Sequence, residues 1–448
     1  MKRKLLLAAL AASVVLGGCA EESSLPNPSG EGTVRAINAI PGSPNVAFLI
    51  EERSAGTAAY KTATSSTQWD ALSYTFNFEV ILAGDTTTTR VASQVLEVVR
   101  DTDYTFLITG ALNAPDITLV EVPMREWSGS ETVFEVRFGN LGTTLGAVDF
   151  YLADEAIPPA LGAQLATLSP GEVSDTIELD AADLVLTITP AGDDTTVLFQ
   201  SDPVTFSEQN SQLINVFDGD ENDIAPLAVR TVITSGLGGN LAIFDARFPP
   251  TFRFIHASRN MPTADIYLDD PLTVPIVMDH AYRDIDGPVD VTVGTLPLTY
   301  TETANMGNIL IDEDIAVLAG SRRDLYIAND RDGNDRLVSH LADRRSILTF
   351  VQFIIFNAAS GRDNVDLYFV DAGELLDDAT PVLSGFPLAG IPVQIPLPPG
   401  SYEIYVTDVD EKVPLAGPIP LDAATGDVFE AILYDNVDPN IIDFEFLP

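Results

Sequence analysis

Residues 252–267 read FRFIHASRNMPTADIY, and this stretch has counterparts in the same register at three other places in the chain. The copies begin at Val34, Val136, Phe252 and Phe353, and each carries Asn or His four residues after its start. Their starts lie 102, 116 and 101 residues apart, which is the length of one small domain. The spacing therefore predicts four copies of a whole domain and not a solenoid of short repeats.

Three polar positions mark the repeat: an Asn or His, an Asp nine residues later, and a Tyr two residues after the Asp. The residues at these positions are Asn38, Asn140, Asp149, Tyr151, His256, Asp265, Tyr267, Asn357, Asp366 and Tyr368. The first copy departs from the pattern, with Ala47 and Leu49 in place of Asp and Tyr. Because alternate strand residues share a face, we expect Asp149 and Tyr151 to lie together and to hydrogen-bond to the turn that begins at Asn140. The motif therefore predicts a structural role at a domain corner.

Within each copy the apolar residues follow the two-residue period of half-buried strands. Examples are the alternating runs Tyr74/Phe76/Phe78/Val80 and Tyr402/Ile404/Val406, and turn signals such as Pro41-Gly42 and Asp286-Gly287-Pro288 interrupt such runs. Each copy ends with a strand, an acidic turn and another strand. The predicted fold is all-β: a tandem array of four immunoglobulin-like antiparallel β-sandwich domains with about seven strands each.

The domain boundaries follow from the repeat and from the composition of the N-terminal region. The predicted segments are a lipoprotein signal peptide (1–18), a flexible tether (19–31), and β-sandwich repeats 1 (32–127), 2 (131–248), 3 (250–345) and 4 (346–448).

The N-terminal region has the form of an export signal. Lys2, Arg3 and Lys4 precede a short apolar run, and the run ends in Leu-Gly-Gly-Cys at Cys19. This ending resembles a bacterial lipobox, in which the Cys becomes the lipidated first residue of the mature protein. We therefore expect an exported protein that is held on a membrane through lipid on Cys19. Ala20 follows the Cys, which among resembling Gram-negative lipoproteins indicates the outer membrane or the cell surface.

The charge balance excludes one class of partner. Lys and Arg number 23 against 66 Asp and Glu, which gives a net charge of −43. Lys61 and Lys412 are the only lysines after the signal region, so the sequence offers no basic patch to neutralise phosphates and we expect no nucleic-acid partner. Cys19 is the only cysteine, so intramolecular disulfides cannot contribute to stability.

Two acidic turns invite comparison with calcium sites, because alternating carboxylates can surround that ion with oxygen. The turns run from 218 to 223 and from 330 to 335, and neither has the glycine and glutamate spacing of an EF-hand. Solvated hairpin turns are the simpler interpretation, and we expect no cofactor, although calcium stays possible. The candidate ligands are Asp218, Asp220, Asp223, Asp330, Asp332 and Asp335.

The usual catalytic signatures are missing from the sequence. The three histidines, His256, His280 and His340, lie in separate contexts, and each is expected to be a surface or corner residue. No zinc-protease motif, nucleophile elbow or phosphate-binding glycine loop occurs. Trp69 and Trp127, the only tryptophans, are the candidates for stacking on a sugar. We expect a protein that is not an enzyme.

The third copy also carries a family resemblance. Arg253 to Ser258 followed by Pro262 to Asp269 resembles the signature of the bacterial family catalogued as domain of unknown function 4397. The fourth copy keeps 357–360 and 365–368, and the second keeps Asn140 and 148–151. The resemblance implies β-sandwich domains on exported or cell-surface proteins and brings no catalytic residues with it.

Together these features predict a lipid-anchored bacterial cell-envelope protein with a structural or protein-interaction role and without catalysis. The partner would be an unidentified envelope protein or a glycan. The alternative is a binding module that captures glycan, or depends on calcium, for adhesion at the cell surface.

Overall fold

The computed structural model describes residues 29–82, 87–154, 163–235, 238–269 and 273–448. The predicted signal peptide, Cys19 and most of the predicted tether lie outside these residues. Each of the four predicted repeats contains two sheets, and we refer to the repeats as units 1 to 4.

Unit 1 has eight strands. They are β1 (Glu31–Asn38), β2 (Val46–Ile50), β3 (Arg53–Ala58), β4 (Thr67–Asp70), β5 (Ser73–Ile81), β6 (Thr88–Glu97), β7 (Thr102–Ala111) and β8 (Ala114–Pro123). The first sheet has the order β4-β1-β7-β8, and the second has the order β3-β2-β5-β6.

Unit 2 repeats this plan with ten strands, because two short strands take the place of the sixth strand and one more is added at the end. Its strands are β9 (Val133–Asn140), β10 (Val148–Ala153), β11 (Ala166–Leu168), β12 (Ile177–Asp180), β13 (Asp183–Pro190), β14 (Phe199–Gln200), β15 (Val204–Thr205), β16 (Ser211–Asp218), β17 (Leu227–Ile233) and β18 (Asn240–Ile243). β14 and β15 both pair with β13, and β18 extends the first sheet beyond β17.

Units 3 and 4 return to eight strands each. In unit 3 they are β19 (Thr251–His256), β20 (Ala264–Tyr267), β21 (Val277–His280), β22 (Ile285–Asp290), β23 (Gly294–Glu302), β24 (Asn305–Val317), β25 (Arg322–Asn329) and β26 (Asp335–His340). In unit 4 they are β27 (Val351–Asn357), β28 (Asn364–Asp371), β29 (Leu383–Pro387), β30 (Val393–Leu397), β31 (Gly400–Asp408), β32 (Pro414–Ala423), β33 (Val428–Asp435) and β34 (Ile442–Phe446), with a single 3-10 turn at Leu376–Asp378.

The first strand of every unit pairs in parallel with the strand that begins the closing hairpin. In unit 1 this pair is β1 with β7, and in unit 4 it is β27 with β33. The other pairings are antiparallel, so the all-β sandwich prediction is confirmed. Two details differ from the prediction. The units have eight or ten strands and not seven. The first sheet of each unit is mixed, because the first strand of the unit pairs in parallel with one neighbour and antiparallel with the other.

Each sandwich has its own core between its two sheets, and the alternate residues of the first strand supply it. Phe252 and Phe254 of β19 belong to the core of unit 3, together with Ala264 and Ile266 of β20. The same positions of the other units fill their cores. The Asp and Tyr of the repeat therefore lie on the strand face that points away from the core, whereas the Asn or His follows the inward-facing positions of the first strand.

Asp286-Gly287-Pro288 was expected to be a turn between strands, and that expectation is wrong. These residues lie within β22, at a register shift opposite Phe252 and Phe254 of β19. Gly287 has φ +117°, and a Cβ there would lie 2.6 Å from the Phe252 carbonyl oxygen. The glycine therefore permits a bulge in which two backbones approach closely, and the chain does not reverse there.

The outer faces of the first sheets are covered by neighbouring units. One buried apolar cluster joins units 1 and 2, with Ile37 and Leu107 facing Leu213 and Phe217. A second joins units 3 and 4, with Ile255 and Tyr326 packed among residues such as Phe356 and Ile432. The four units therefore form two pairs, each held by an apolar interface between first sheets.

Candidate functional site

The Asn at the end of each first strand connects the two sheets of its unit. In unit 4, Asn357 donates from Nδ2 to the Phe386 carbonyl at 3.2 Å, and its Oδ1 accepts from the Ala359 backbone amide at 3.1 Å. Asn38 and Asn140 make the same two kinds of bond in units 1 and 2. Since these Asn side chains are fully buried, each satisfies backbone groups that would otherwise lack partners.

The Asp of the motif has different partners from those expected. Asp149 accepts from the Thr167 hydroxyl at 2.5 Å and from the Gly192 amide at 2.8 Å, and Asp366 accepts from the Gly385 and Asp410 amides at 2.8 and 3.0 Å. These donors lie on or beside the third strand and in the turn that follows the fifth. Asp149 was expected to hydrogen-bond to the turn after Asn140, and that expectation is wrong. Asn140 itself bonds that turn, whereas the partners of Asp149 lie on the third strand and after the fifth.

The Tyr of the motif is buried in all three units that carry it, at Tyr151, Tyr267 and Tyr368. In unit 4 the Lys412 ammonium lies 4.2 Å from the centre of the Tyr368 ring, and the Tyr368 hydroxyl donates to Asp366 at 3.5 Å. The motif residues that the sequence singles out are thus part of the framework of the sandwich.

Unit 3 differs at this corner, because His256 stands where the other units have Asn. His256 and His280 are both fully buried, and their ring centres lie 5.3 Å apart. The Nδ1 atom of His280 lies 2.7 Å from Asp286. Burial, together with the charge that His280 could carry, lowers the pKa of His256 to about 4. The expectation of three histidines in separate contexts is therefore wrong for this pair.

The first acidic turn is engaged by residues of units 1 and 2. Asp218 accepts hydrogen bonds from both the backbone amides and the hydroxyls of Thr143 and Thr144. Burial acts to raise the pKa of Asp218, but these bonds outweigh it and hold the pKa below its usual value. Lys61 of unit 1 lies 2.7 Å from Asp220 and also contacts Asp223.

Two carboxylates of the second acidic turn are bonded within unit 3. Asp330 accepts from the backbone amides of Asp332 and Asn334 at 2.9 and 2.8 Å, and Asp335 accepts from the Ser258 hydroxyl at 2.5 Å. Asp332 is exposed. Within the described ranges, no group of three or more His, Cys, Asp or Glu side chains is placed to hold a metal ion.

The interface between units 1 and 2 centres on the dipeptide Tyr60-Lys61. The Tyr60 hydroxyl donates to the Asp218 carbonyl at 3.0 Å, and its ring meets the ring of Phe217 edge-on at 6.1 Å. Lys61 has φ +67°, and its backbone amide donates to the Asn38 carbonyl at 2.8 Å. This backbone geometry turns the ammonium towards the acidic turn of unit 2.

The interface between units 3 and 4 repeats this arrangement with Tyr282-Arg283. The Tyr282 hydroxyl donates to the Asp435 carbonyl at 3.4 Å, and its ring meets the ring of Tyr434 edge-on at 5.7 Å. Arg283 has φ +75°, its amide donates to the His256 carbonyl at 2.7 Å, and its guanidinium contacts Asp443. The same contact thus occurs once within each pair of units, and we call it the Tyr–cation contact.

Sequence reasoning missed the Tyr–cation contact. Two signals for it existed: Lys61 is one of only two lysines after residue 4, and both dipeptides follow the corner residue of an odd-numbered unit. The distances in sequence from the corner differ between the two copies, so the gapless register of the motif does not extend to them.

Trp69 and Trp127 do not form a row of exposed aromatic rings. Trp69 is partly buried, meets the Tyr74 ring at 5.2 Å, and donates from Nε1 to Thr67 at 3.0 Å. Trp127 is also partly buried, beneath the Arg125 guanidinium at 4.1 Å. No helix in the described part of the chain combines the length and apolar character that a membrane span requires.

Fold and site define a class of protein: tandem β-sandwich units in which the repeated polar residues are structural. Residues 32–151 match the model of a family described as Domain of unknown function (DUF4397). The predicted resemblance is therefore confirmed for this segment. The match covers unit 1 and ends at Tyr151, so it includes the copy of the motif formed by Asn140, Asp149 and Tyr151.

The other comparisons add little. No curated protein matches this chain. Among solved structures, the Bacillus anthracis TIE protein is 11% identical over 91% of this chain and 69% of its own, with a TM-score of 0.15. A superposition of that quality carries no argument about fold or function.

Proposed function

We propose that this protein is a lipid-anchored, non-catalytic component of the bacterial cell envelope with a structural or protein-interaction role. The observation that carries the proposal is the Tyr–cation contact, which occurs twice and joins the units in pairs. It supports an array that holds its units in defined positions, as a spacer or scaffold requires.

The use of the polar residues supports the same role. The Asn and Asp of the repeat are consumed by hydrogen bonds within their units. The carboxylates of the first acidic turn are bonded by Thr143, Thr144 and Lys61. These contacts favour a framework role for the acidic turns over calcium-dependent adhesion.

The anchor is tested by replacing Cys19 with Ser. We expect Cys19→Ser to move the protein from the membrane fraction to the soluble fraction, because acyl chains on Cys19 supply the membrane affinity. Ser23→Ala is the matched control and should leave the protein membrane-bound. Retention of Cys19→Ser in membranes after a salt wash would show that the lipid anchor is wrong.

A further inference from the structure

A cavity of about 500 Å³ lies where units 1, 2 and 3 meet the segment that leads into unit 4. Its walls come from 59–62, from the first acidic turn with Arg230, from 318–322 and from 341–345. A volume of this size is typical of sites for small molecules.

Cationic side chains gather at this cavity. Its lining includes Lys61, Arg230, Arg322, Arg344 and Arg345, against three carboxylates at Asp220, Asp223 and Asp343. In the whole chain the acidic residues outnumber the basic ones 66 to 23. The cavity therefore reverses the charge balance of the protein.

Three of the five cations have carboxylate partners at close range. Lys61 contacts Asp220 and Asp223. Arg345 holds both oxygens of Asp343, from Nε at 2.9 Å and from Nη2 at 2.7 Å. Arg344 contacts Asp324 and Glu430, which lie at the interface of units 3 and 4.

The other two cations are less well compensated. The nearest carboxylate oxygen to Arg230 is on Asp223 at 3.9 Å, and Asp223 already contacts Lys61. Burial lowers the pKa of Arg230, and the nearby charges of Asp223 and Asp220 only partly oppose that effect. Arg322 donates to the main-chain carbonyl of Glu221 at 2.9 Å, and no carboxylate of the described chain forms an ion pair with it.

The Arg230 guanidinium is largely buried beside a carboxylate that Lys61 already contacts, and a buried guanidinium without its own counter-charge is unfavourable. An oxyanion relieves this by accepting paired N–H bonds, and the exposed Arg322 can donate to the same anion from the rim of the cavity. Arginine is well suited to this because its planar group presents several donors in a fixed geometry. Arg230 and Arg322 line the same cavity from two different units.

We propose that this cavity binds a small molecule that carries a phosphate or sulfate group, with Arg230 and Arg322 as the residues that hold the anion. The three carboxylates of the lining already form close ion pairs with other residues: Asp220 and Asp223 with Lys61, and Asp343 with Arg345. An anion can therefore accept hydrogen bonds from Arg230 and Arg322. Since the walls come from three units, binding also stabilises the junction between the two pairs.

The test is calorimetric titration of the mature protein with inorganic phosphate, inorganic sulfate and glucose 6-phosphate, with glucose and chloride as blanks. Ionic strength is fixed near 0.15 M, where the long-range repulsion of a strongly acidic protein is screened within about 8 Å. We expect saturable binding of at least one of the three anions and none of glucose.

Two variants and one control locate the site. Arg322→Gln should weaken binding at least tenfold, and it should fold because Arg322 is exposed. Arg230→Gln should do the same, and its fold is checked separately by circular dichroism. Arg331→Gln, at an exposed arginine in unit 3, should bind like the wild type.

Three results would overturn the proposal. They are no saturable binding of any of the three anions, unchanged affinity in Arg322→Gln, and an equal loss in Arg322→Gln and Arg331→Gln. The last result would mean that the anion responds to general surface charge. Tighter binding of glucose 6-phosphate than of inorganic phosphate would support an organic ligand, and the reverse would support the free ion.

Discussion

Asn357 and its equivalents show how one side chain stabilises a sandwich corner. The amide of Asn357 bonds a carbonyl of the third strand and an amide of the following turn. The side chain at this position donates to one sheet and accepts from the chain that leaves the other. An ionised Asp has no donor, and a Ser carries its donor and acceptor on one oxygen of a shorter side chain, whereas the Asn amide presents them on two separate atoms. The recurrence of Asn in three units follows from this geometry.

Asn357→Ala should destabilise unit 4 by about 1–3 kcal/mol, because it leaves a buried carbonyl and a buried amide without partners. Hydrogen exchange read by mass spectrometry on peptides of β27 and β29 measures the change, with roughly tenfold or greater acceleration expected. Asn440→Ala, at an exposed asparagine of the last turn, is the control. Equal exchange in the two variants would refute the role given to Asn357.

The buried histidine pair of unit 3 gives the protein a pH dependence. Asp286 and Asp284 oppose the loss of charge of His280, and Asp284 also faces His256, whose ring meets Tyr282 edge-on. Burial nevertheless dominates and lowers the pKa of both rings. The unfolded chain binds protons near pH 6.5, whereas His256 does so at about pH 4.

The contribution of His256 to the free energy of unfolding is therefore complete above pH 6.5. It falls as the pH drops from 6.5 towards 4, because the unfolded state then binds more protons than the folded state. The change from 6.5 to about 4 corresponds to about 3 kcal/mol from His256. His256→Asn should flatten this part of the profile of melting temperature against pH. His340→Asn, at a partly buried histidine, should keep most of the slope. A slope unchanged in His256→Asn would contradict the assignment.

At the scale of elements, the two Tyr–cation contacts differ in burial. Lys61 is 5% exposed and its partners Asp220 and Asp223 are 9% and 16% exposed, whereas Arg283 and Asp443 are each about one-third exposed. Burial raises the pKa of Asp220, and Lys61 opposes that rise. The same contact therefore depends on its charge pair much more in the first pair of units.

Lys61→Met should cost about 3–5 kcal/mol, because it leaves two largely buried carboxylates with Arg230, 3.9 Å from Asp223, as their remaining counter-charge. Arg283→Met should cost less than about 1 kcal/mol, as is usual for exposed ion pairs. Denaturant unfolding of the protein distinguishes these values, and Arg90→Met, at an exposed arginine, provides the baseline. A larger loss in Arg283→Met than in Lys61→Met would reverse the interpretation.

At the scale of the whole molecule, the paired arrangement predicts how fragments behave. Residues 346–448 contain a complete core between their own sheets and should fold cooperatively. Alone, however, they expose the outer face that carries Phe356, Ile432 and Tyr434. The fragment 250–448 covers that face and should melt at a higher temperature.

Thermal melting with a dye that binds exposed apolar surface checks this prediction. We expect dye binding to the native state of 346–448 and much less to that of 250–448. Absence of a cooperative transition in 346–448 would show that the core of unit 4 depends on unit 3. Equal melting temperatures would show that the interface contributes nothing.

The sequence by itself determined the four-fold repeat, the strand-forming segments and the all-β fold, because the two-residue period and the repeat spacing are local properties of the chain. It also identified Asn38, Asn140 and Asn357 as corner residues. Their partners came only from the structure, since Ala58, Leu168 and Phe386 lie 20 to 29 residues further on.

Only the tertiary structure decided how the units pair. β7 and β16 are buried on both faces, and apolar residues on both of these faces form the short runs Phe106-Leu107-Ile108 and Leu213-Ile214. Such a run shows that something covers the outer face, but it does not say what, because hydrophobic burial is non-directional. The choice of partner depends on the shape of two sheet faces and on single cations such as Lys61 that reach across, and these properties exist only after the sandwiches have formed.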